Sequence, residues 1–427
     1  MIKITSKIRS RKITAGLENK TRKIIDDVYK YRDSAVFRLT RKFDNCKLTA
    51  KNIIVSDSEK KSAMESLSVA QRKAIFIASK NIEKYARQQL PKEFLKNGNS
   101  AFIGQIIRPI ENIGVYVPGG KYPLVSSVLM SVVPAKVAGC KKIIICTPPK
   151  QKKRIVSADE KIIAAACMLG VNEIYKVGGA QAIAAMALGT KFIPKVDKIV
   201  GPGNAFVAQA KKLLYGTVGV DMPAGPSEIL IIADKSANPS FIAADMLAQA
   251  EHDKESFSIL LTTSKKVAYE VRRIIEQQLK KLPDKNRQIA SASLLLNGQI
   301  VLKNTINECY NDANSFAPEH LELMVNDADI TQINSAGSVF IGQCSPEAAG
   351  DYATGPNHTL PTSGNAKVRG GLSVLDFLKI ISIQCLSKKS LERLSDTINA
   401  FTQIEGLSAH ANSVNIRLKG ENDEKKS

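Results

Sequence analysis

The sequence predicts an α/β fold with two doubly wound halves, a helical N-terminal segment and a small helical C-terminal tail. Three observations predict this arrangement. Apolar residues recur at three- and four-residue spacing over residues 17–95, which is the period of an amphipathic helix. From about residue 104, short apolar strands alternate with helices, as in parallel sheets that are covered on both faces. After about residue 372 the pattern becomes helical again and ends in the solvated segment KGENDEKKS.

The first half is predicted to contain four βα units. Its predicted strands are IGVYVP (113–118), KIIICTPP (142–149), EIYKVGG (173–179) and KVDKIVGPG (195–203), each followed by a helix. The second half begins near DMPAGPSE (221–228). Its predicted strands are EILIIAD (228–234), SFSILLTT (256–263), SASLLL (291–296), HLELMV (320–325) and SVFIGQ (338–343), with helices at 239–252, 265–282 and 304–314. Ligands of such sheets bind beyond the carboxyl ends of the strands, so we expect the functional site there.

The net charge of +21 does not by itself indicate a nucleic-acid-binding protein, because basic residues are scattered along every segment and aromatic platforms for bases are missing. No segment reaches the ~18 uninterrupted apolar residues that a membrane-spanning helix needs. The basic N-terminus, MIKITSKIRSRKITAGL, lacks the apolar core of a signal peptide, and we interpret residues 1–23 as an arm of the folded protein. Neither nucleic acid nor a membrane is therefore expected as a partner.

The cysteines predict a reducing compartment. There are seven of them, irregularly spaced and without a CxxC pair, so a disulfide framework is not expected and the cytoplasm is the predicted location. Cys140, Cys146 and Cys167 lie in apolar stretches and are expected in the core.

Two glycine-rich turns could bind an anion. VGGAQA (177–182) and GPGNAF (201–206) each follow a predicted strand and open a helix, where backbone N–H groups and the helix terminus favour negative charge. As a dinucleotide motif the signal is weak, since Phe206 stands where the third glycine belongs. Asp221 has nearly the spacing of a ribose-binding acid but lies in an irregular segment. Tight turns without a ligand therefore remain an alternative.

The four histidines all lie near a carboxylate or an amide, at the end of an element or in a loop. His252 shares a helix face with Gln249, and His320 follows Glu319 directly. The other two occur in GDYATGPNHTLPT (350–362), seven residues after Asp351, and in IEGLSAHANSV (404–414), five residues after Glu405. Imidazole suits both Zn²⁺ and proton transfer near neutral pH, so the set indicates a catalytic or metal site.

Nine motifs, in this order and spacing, resemble those of the histidinol dehydrogenase family over residues 20–418. They are VYVPGG, VGGAQAIAA, VDKIVGPGNAFV, DMPAGPSE, AQAEHD, FAPEHLEL, AGSVFIG, GDYATGPNHTLPT and EGLSAHANSV. The resemblance implies a four-electron oxidation of L-histidinol to L-histidine through L-histidinal, the last step of histidine biosynthesis. It also implies two NAD⁺ per substrate and a bound Zn²⁺. Departures from the family pattern are modest: Gly406 in a spacer, and the high lysine content.

Site residues follow from the resemblance, position by position. It implies Zn²⁺ ligands at Gln249, His252, Asp351 and His410. It implies an acid–base pair, Glu319 and His320, and NAD contacts at Tyr116, Gln181 and Asn204. The substrate contacts it implies are Ser227, Gln249, His252, His320, Asp351, His358, Glu405 and His410. The tail histidine would reach the metal of the partner subunit, so that the active site would belong to a homodimer.

The resemblance also implies two incomplete Rossmann-like domains. We predict an N-terminal arm (1–23), a substrate and zinc domain (24–104 with 224–372), an NAD domain (105–223) and a helical tail domain (373–427) that completes the dimer and the site.

Three alternatives compete with this prediction. Cys140 could be the nucleophile of an aldehyde dehydrogenase, although no histidine or acid lies near it in sequence. The chain could be a basic nucleic-acid- or metal-binding protein without catalysis. It could also be a relative that kept the fold and lost the chemistry, although every functional group that the motifs require is present.

Overall fold

A computed structural model describes residues 2–9, 16–98, 101–119, 123–152, 155–222 and 225–419. The chain divides into two compact units, the first made of Met1–Gln89 with Ile110–Phe377 and the second of Leu90–Pro109 with Leu378–Ser427. Parallel sheets flanked by helices confirm the predicted α/β class.

The strands are β1 Lys3–Thr5, β2 Phe94–Gly98, β3 Ala101–Pro109, β4 Asn112–Tyr116, β5 Lys142–Cys146, β6 Lys150–Lys152, β7 Ile155–Ser157, β8 Glu173–Tyr175, β9 Lys198–Val200, β10 Gly219–Val220, β11 Glu228–Ala233, β12 Phe257–Thr262, β13 Gln299–Leu302, β14 His320–Met324, β15 Ser338–Ile341 and β16 Leu378–Cys385. The helices are α1 Glu18–Asp44, α2 Asp57–Ser66, α3 Val69–Gln88, α4 Val125–Ala138, α5 Glu160–Met168, α6 Gly179–Leu188, α7 Ala205–Leu214, α8 Pro239–Ala250, α9 Lys265–Leu279, α10 Asp284–Asn297, α11 Ile306–Phe316, α12 Glu347–Tyr352, α13 Lys388–Glu405 and α14 Ser408–Leu418.

A six-stranded parallel sheet lies in the first unit, in the order β1-β13-β12-β11-β14-β15. Its central strands β11 and β12 are buried along their whole length and mostly apolar, because both faces are covered. On β11, Ile229 and Ile231 pack with α8, α9 and α10, whereas Leu230 and Ile232 pack with α11 on the other face. This alternation of side chains fixes the register of the strand against the two helical layers.

A second parallel sheet of the first unit has the order β10-β9-β4-β5-β8. The N-terminal helices pack on the helices that connect the strands of this sheet. Helix α1 packs on α6 and α7, α2 packs on α5, and α3 packs on α4. These contacts associate the helices of residues 18–88 with this sheet, whereas the sequence analysis grouped residues 24–104 with 224–372. The division into domains stays a prediction.

The second unit contains an antiparallel sheet in the order β16-β3-β2, and helices α13 and α14 pack on each other. The tail was predicted to be helical throughout, and the N-terminal helices were predicted to reach residue 95. Both boundaries are wrong: α3 ends at Gln88, and Leu378–Cys385 is a strand. Its pairing partner Ala101–Pro109 lies about 270 residues away in the sequence, and such a contact leaves no local signal.

Two further elements differ from the prediction. SASLLL (291–296) lies in α10, and the strand of this region is Gln299–Leu302, after Gly298 has ended the helix. An apolar run of this length fits either a strand or a buried helix segment, so periodicity alone could not distinguish the two. In the N-terminal arm, Lys3–Thr5 adds a parallel edge strand to the six-stranded sheet.

All seven cysteines are free, as expected, and Cys46, Cys146 and Cys309 are buried. Cys140 and Cys167, which were expected in the core, are half-buried. Across the described ranges, no helix combines the length and apolarity that crossing a bilayer requires.

Candidate active site

The predicted acid–base pair lies at the amino end of β14. Helix α11 ends at Phe316, and Ala317 takes a left-handed conformation (φ 51°) that turns the chain towards Pro318, Glu319 and His320. Such a backbone costs a non-glycine residue about 1 kcal/mol or more, so the surrounding structure must hold it. The sequence analysis expected the site at the carboxyl ends of the strands. For the six-stranded sheet this is wrong, because His320 is the first residue of its strand and pairs with Ile229 at the start of β11.

The backbone of Glu228 holds both members of the pair. Its N–H donates to Glu319 Oε2 at 2.8 Å, and its carbonyl oxygen lies 3.1 Å from His320 Nδ1. A carbonyl can only accept, so Nδ1 carries the proton and Nε2 presents a lone pair. This Nε2 is buried without a hydrogen-bond partner, 3.9 Å from Asp351 Oδ1. Burial, opposed in part by the contact with Glu228, lowers the pKa of His320 to about 3, with His358 and His252 adding to the effect.

Buried acids surround this imidazole. Glu347 Oε1 lies 3.4 Å and Glu319 Oε2 lies 3.8 Å from His320 Nδ1. Burial raises the pKa of Glu319 and of Glu347 well above the ordinary value, and the neighbouring carboxylates raise both further. Burial also raises the pKa of Asp351 to about 6. Within the described ranges, no lysine or arginine forms an ion pair with these three acids.

Two further acids, Asp245 and Glu322, lie next to Glu347. Asp245 and Glu322 are hydrogen-bonded to each other, and Glu322 Oε1 accepts the backbone N–H of Glu347 at 2.8 Å. Burial raises the pKa of Glu322 to about 8 and that of Asp245 to about 6. Glu322 therefore caps α12, the short helix that carries Glu347 and Asp351 one turn apart.

The donor set fits a divalent cation. Ligand atoms of His320, Glu347 and Asp351 all lie within 4.8 Å of one another, and Glu347 Oε2 has no hydrogen-bond partner. Imidazole nitrogen and carboxylate oxygen are ordinary Zn²⁺ ligands. Buried carboxylates without a basic partner must keep protons or gain a cation, because isolated buried charge is costly. A site for Zn²⁺ in this cluster is therefore chemically reasonable.

The structure brings three of the four predicted metal ligands into this region. Gln249 is fully buried; in its better-satisfied orientation the amide donates to Glu347 Oε1 at 2.8 Å and accepts from the Glu228 N–H at 2.6 Å. His252 opens onto a cavity at the end of α8, where burial lowers its pKa and Glu251 opposes the shift. It also interacts electrostatically with His320.

The two predicted tail residues lie in the second unit. Glu405 ends α13, and His410 lies in the first turn of α14. Both side chains are exposed within this unit. Their role in the site stays a prediction.

The remaining predicted substrate contacts lie in the first unit. His358 shares a smaller cavity with His320 and Asp351; its Nε2 is buried without a partner, and burial lowers its pKa to about 4. Ser227 is half-buried and immediately precedes Glu228.

The predicted cofactor residues lie together at the carboxyl edge of the five-stranded sheet. Tyr116 is the last residue of β4, and its hydroxyl accepts the N–H of Gly179 at 3.0 Å. Asn204 caps α7 through the N–H groups of Phe206 and Val207. Tyr116, Gln181 and Asn204 line one cavity of about 910 Å³, which His252 also lines. The residues predicted for cofactor and for metal thus face a common space.

Gly201 allows the second turn to approach β4 closely. Its φ is +111°, and a Cβ at this position would lie 2.1 Å from the carbonyl oxygen of Tyr116. A side chain is therefore excluded on both conformational and steric grounds.

Asp221 is fully used inside the protein and cannot serve as a ribose-binding acid. Its carboxylate bonds Lys211 Nζ at 2.6 Å and accepts the N–H groups of Gly201 and Met222 at 2.8 and 2.6 Å. Both charged side chains are almost completely buried. The pair fixes the GPGN turn to the segment that enters the second half.

Four site acids were missed by sequence reasoning, namely Glu228, Asp245, Glu322 and Glu347. Weak signals existed. Glu322 follows His320 by two residues on the same strand face, and Asp245 precedes Gln249 by one helical turn. Glu347 precedes Asp351 by the same four-residue interval. The chain contains 40 acidic residues, so such spacings alone would not have distinguished these four.

The pKa shifts predict that the metal-free protein loses stability as the pH rises above about 6.5. His320 and His358, with pKa values near 3 and 4, stay neutral when folded, which costs stability only below their unfolded pKa of ~6.5. Above that pH Asp245 and Asp351, with pKa values of about 6, have already lost their protons, whereas Glu322, with a pKa of about 8, and Glu319 and Glu347, whose pKa values burial raises well above the ordinary value, keep protons that the unfolded chain releases. That contribution is lost as the pH rises through these values, by at most ~1.4 kcal/mol per pH unit for each proton.

Thermal unfolding of chelator-treated protein between pH 6 and 9 measures this effect. We expect the melting temperature to fall across the range, and Glu322→Gln, which removes the group with the pKa of about 8, to flatten the fall. Excess Zn²⁺ should also reduce the fall in melting temperature. Metal-free protein that is equally stable at pH 6.5 and 8.5 would contradict the prediction.

Cys140 is unsuited to be a nucleophile. It lies between α4 and β5, and burial raises the pKa of its thiol to about 12, which leaves almost no thiolate at neutral pH. The thiohemiacetal alternative therefore lacks its reactive group.

Comparisons with known proteins are extensive. A sequence model of the histidinol dehydrogenase family matches residues 7–418. The histidinol dehydrogenase of Lactococcus lactis subsp. lactis is 42% identical over 421 residues, covering 97% of this chain and 96% of that protein. That of Methanothermobacter thermautotrophicus is 45% identical over 390 residues, with coverages of 91% and 90%. The crystal structure of histidinol dehydrogenase from Elizabethkingia anophelis is 40% identical, with a TM-score of 0.92 and 98% coverage of both chains.

Proposed function

Because the chain belongs to the histidinol dehydrogenase family, we propose that it oxidises L-histidinol to L-histidine through L-histidinal, with two NAD⁺ and a Zn²⁺ ion. This would be the last step of histidine biosynthesis, and its place would be the cytoplasm. The match over residues 7–418 confirms the resemblance stated from the motifs. We describe the two parallel sheets as the cores of incomplete Rossmann-like domains, one for substrate and metal and one for NAD.

The observation that carries the proposal is the environment of His320. Its ring is buried and neutral, its Nδ1–H is held by the Glu228 carbonyl, and its Nε2 is free to accept a proton. A held tautomer with a free lone pair is the geometry that a general base for an alcohol proton requires, although the low pKa makes the ring of the metal-free protein a weak base. The carboxylate of Glu319 lies beside it, held by the Glu228 N–H.

For the metal, we propose Gln249, His252 and Asp351 of one subunit and His410 of the partner subunit. Three observations support the choice: the half-buried Asp351 carboxylate forms no ion pair with a lysine or arginine among the described residues, Gln249 reaches the same acidic cluster, and His252 interacts with His320. The exposed position of His410 within its own unit suits a contact with a second subunit. When bound, Zn²⁺ would orient the amine and imidazole nitrogens of the substrate.

The first step is an alcohol oxidation. His320 Nε2 takes the hydroxyl proton of histidinol, and the carbinol carbon gives a hydride to the first NAD⁺, leaving L-histidinal. Ser227, His358 and Glu405 would contact the substrate, and Tyr116, Gln181 and Asn204 the cofactor. The free Nε2 of His358 in the cavity that it shares with His320 supports a substrate contact. Holding the aldehyde in the site protects it from side reactions.

The second step is an aldehyde oxidation. Glu319 takes a proton from water, whose oxygen adds to the aldehyde carbon, while His320 returns the proton it took in the first step to the carbonyl oxygen, which gives a gem-diol. His320 then accepts a hydroxyl proton of the diol as its carbon gives a hydride to the second NAD⁺, which leaves the carboxyl group of histidine. Each turnover thus consumes one water and forms two NADH and, once the product carboxyl group has ionised, three H⁺.

The decisive assay measures NADH formed per histidinol consumed, with and without a chelator. We expect two NADH per substrate, abolition of turnover by the chelator, and recovery with added Zn²⁺. Cys140→Ser is the matched control and should retain activity. A ratio of one, or turnover that survives metal removal, would contradict the proposal. Salt-sensitive DNA binding without NADH formation would instead favour the non-catalytic alternative.

A further inference from the structure

Asp44 is an acidic residue of the cofactor cavity to which the proposed mechanism gives no role. It is the last residue of α1 and lines the cavity together with Tyr116, Gln181 and Asn204. Its Oδ2 accepts one long hydrogen bond, 3.4 Å, from Gln181 Nε2. Across the residues that the structure describes, no lysine or arginine forms an ion pair with it, although Arg41 lies in the same helical turn. The carboxylate therefore has unused acceptor capacity.

The location of Asp44 is unfavourable for a carboxylate. The carboxyl end of a helix carries partial negative charge, which disfavours an anion there. Burial adds to this cost and raises the pKa of Asp44 to about 6. A charge that costs stability, faces a cavity and lacks a cation is explained by a ligand better than by the fold.

The chemistry of the cavity indicates which group the carboxylate would meet. Dinucleotide-binding folds commonly use an acid to accept hydrogen bonds from ribose hydroxyls. Asp221, which has nearly the expected spacing for this role, is enclosed by Lys211 and two backbone N–H groups. The neighbouring Phe43 lines the same cavity and is 52% exposed, so it offers an apolar surface on which a base could pack.

We propose that the Asp44 carboxylate binds the vicinal hydroxyls of a ribose of the dinucleotide. It would take the role for which the carboxylate of Asp221 is not free. The inference rests on the proposed use of NAD and extends it to a residue from the end of the N-terminal helix. An acid at the adenosine ribose would also disfavour NADP⁺, because it would repel the 2′-phosphate. An acid at the nicotinamide ribose would bind both dinucleotides alike.

Calorimetric titration of the Zn²⁺-loaded protein with NAD⁺ and NADP⁺ tests the proposal without turnover. For Asp44→Asn we expect roughly tenfold weaker NAD⁺ binding, the loss expected for hydrogen bonds to a charged group. Its melting temperature without nucleotide should be unchanged or higher, since a costly buried charge is removed. A change in the NADP⁺/NAD⁺ affinity ratio assigns the adenosine ribose, and a constant ratio assigns the nicotinamide ribose.

Two comparisons isolate the role of Asp44. Asp26→Asn makes the same charge change on the exposed surface of α1 and should leave NAD⁺ affinity unaltered. Asparagine at position 44 still offers an oxygen to Gln181, so a role limited to holding Gln181 predicts unchanged affinity. Wild-type affinity in Asp44→Asn, or a lowered melting temperature with unchanged affinity, overturns the proposal. Failure of the wild type to bind NAD⁺ or to form NADH would overturn the proposed function itself.

Discussion

His320→Asn is expected to slow the oxidation of both histidinol and histidinal by about 10²- to 10⁴-fold, the usual contribution of a positioned acid–base group. Nε2 is the free nitrogen acceptor of the imidazole that lies beside Glu319 and Glu347, and asparagine offers no basic nitrogen in its place. Both steps should suffer because each requires removal of a hydroxyl proton. Steady-state rates with histidinol and with supplied histidinal measure the two effects separately.

Zinc content distinguishes a lost base from a lost metal site. A ring nitrogen of His320 lies close enough to carboxylate oxygens of Asp351 and Glu347 for all three to bind one ion, but His320 is not among the proposed ligands. We therefore expect His320→Asn to retain Zn²⁺, whereas Asp351→Asn should lose it. Loss of zinc from the His320 variant would instead assign the cation to the triad of His320, Glu347 and Asp351.

Much of the fold could be predicted because its signals are local. Buried parallel strands such as Glu228–Ala233 are continuous apolar runs between helices, and the pattern identified them at nearly their observed boundaries. The strand predicted at SASLLL is wrong because so short a segment with four apolar residues suits a strand or a helix, and only the packing of α10 decides between them. The antiparallel pairing of β3 with β16 joins distant segments, so no local pattern could reveal it.

The residues of the candidate site could be predicted where they belong to a sequence motif. They could not be predicted where only the folded structure brings them together. Their spacing predicted Gln249 and His252 on one face of a helix, but α8 ends at Ala250 and His252 lies in the turn that follows. The structure brings Gln249 to the acidic cluster that contains Asp351. The predicted edge of the six-stranded sheet differs from the position of His320, which lies at the start of its strand. Glu347 was invisible for a different reason: its importance comes from burial beside His320, a property of the tertiary structure.

The same limit explains Asp221 and Asp44. By spacing, Asp221 was the candidate acid of the cofactor domain, yet Lys211 and two backbone N–H groups occupy its carboxylate. By spacing, Asp44 was an ordinary helix end, yet the fold places it in the cavity beside Gln181. The sequence shows only how far an acidic residue lies from a glycine turn. Binding of a ribose depends on which carboxylate has no partner within the protein. The structure therefore changes which residue should be tested.

Glu319→Gln is expected to separate the two oxidation steps. Glutamine keeps an oxygen for the Glu228 N–H, so the local fold should persist, but it cannot take a proton from water. The rate of histidinol oxidation should fall by only a small factor, whereas the rate of oxidation of supplied histidinal should fall by about 10²-fold or more. With histidinol as substrate, the NADH yield should drop from two towards one per substrate as aldehyde accumulates, and a carbonyl reagent can trap that aldehyde.

The pH dependence gives an independent check on Glu319. Burial and neighbouring acids raise its pKa, so the ionised base becomes more abundant as the pH rises. The aldehyde step of the wild type should therefore accelerate with pH through that raised pKa, and Glu319→Gln should lose this rise. His320→Asn is the matched comparison, because it should damage both steps and keep the rise. Equal losses in both steps for Glu319→Gln would show that the two residues do not divide the chemistry as proposed.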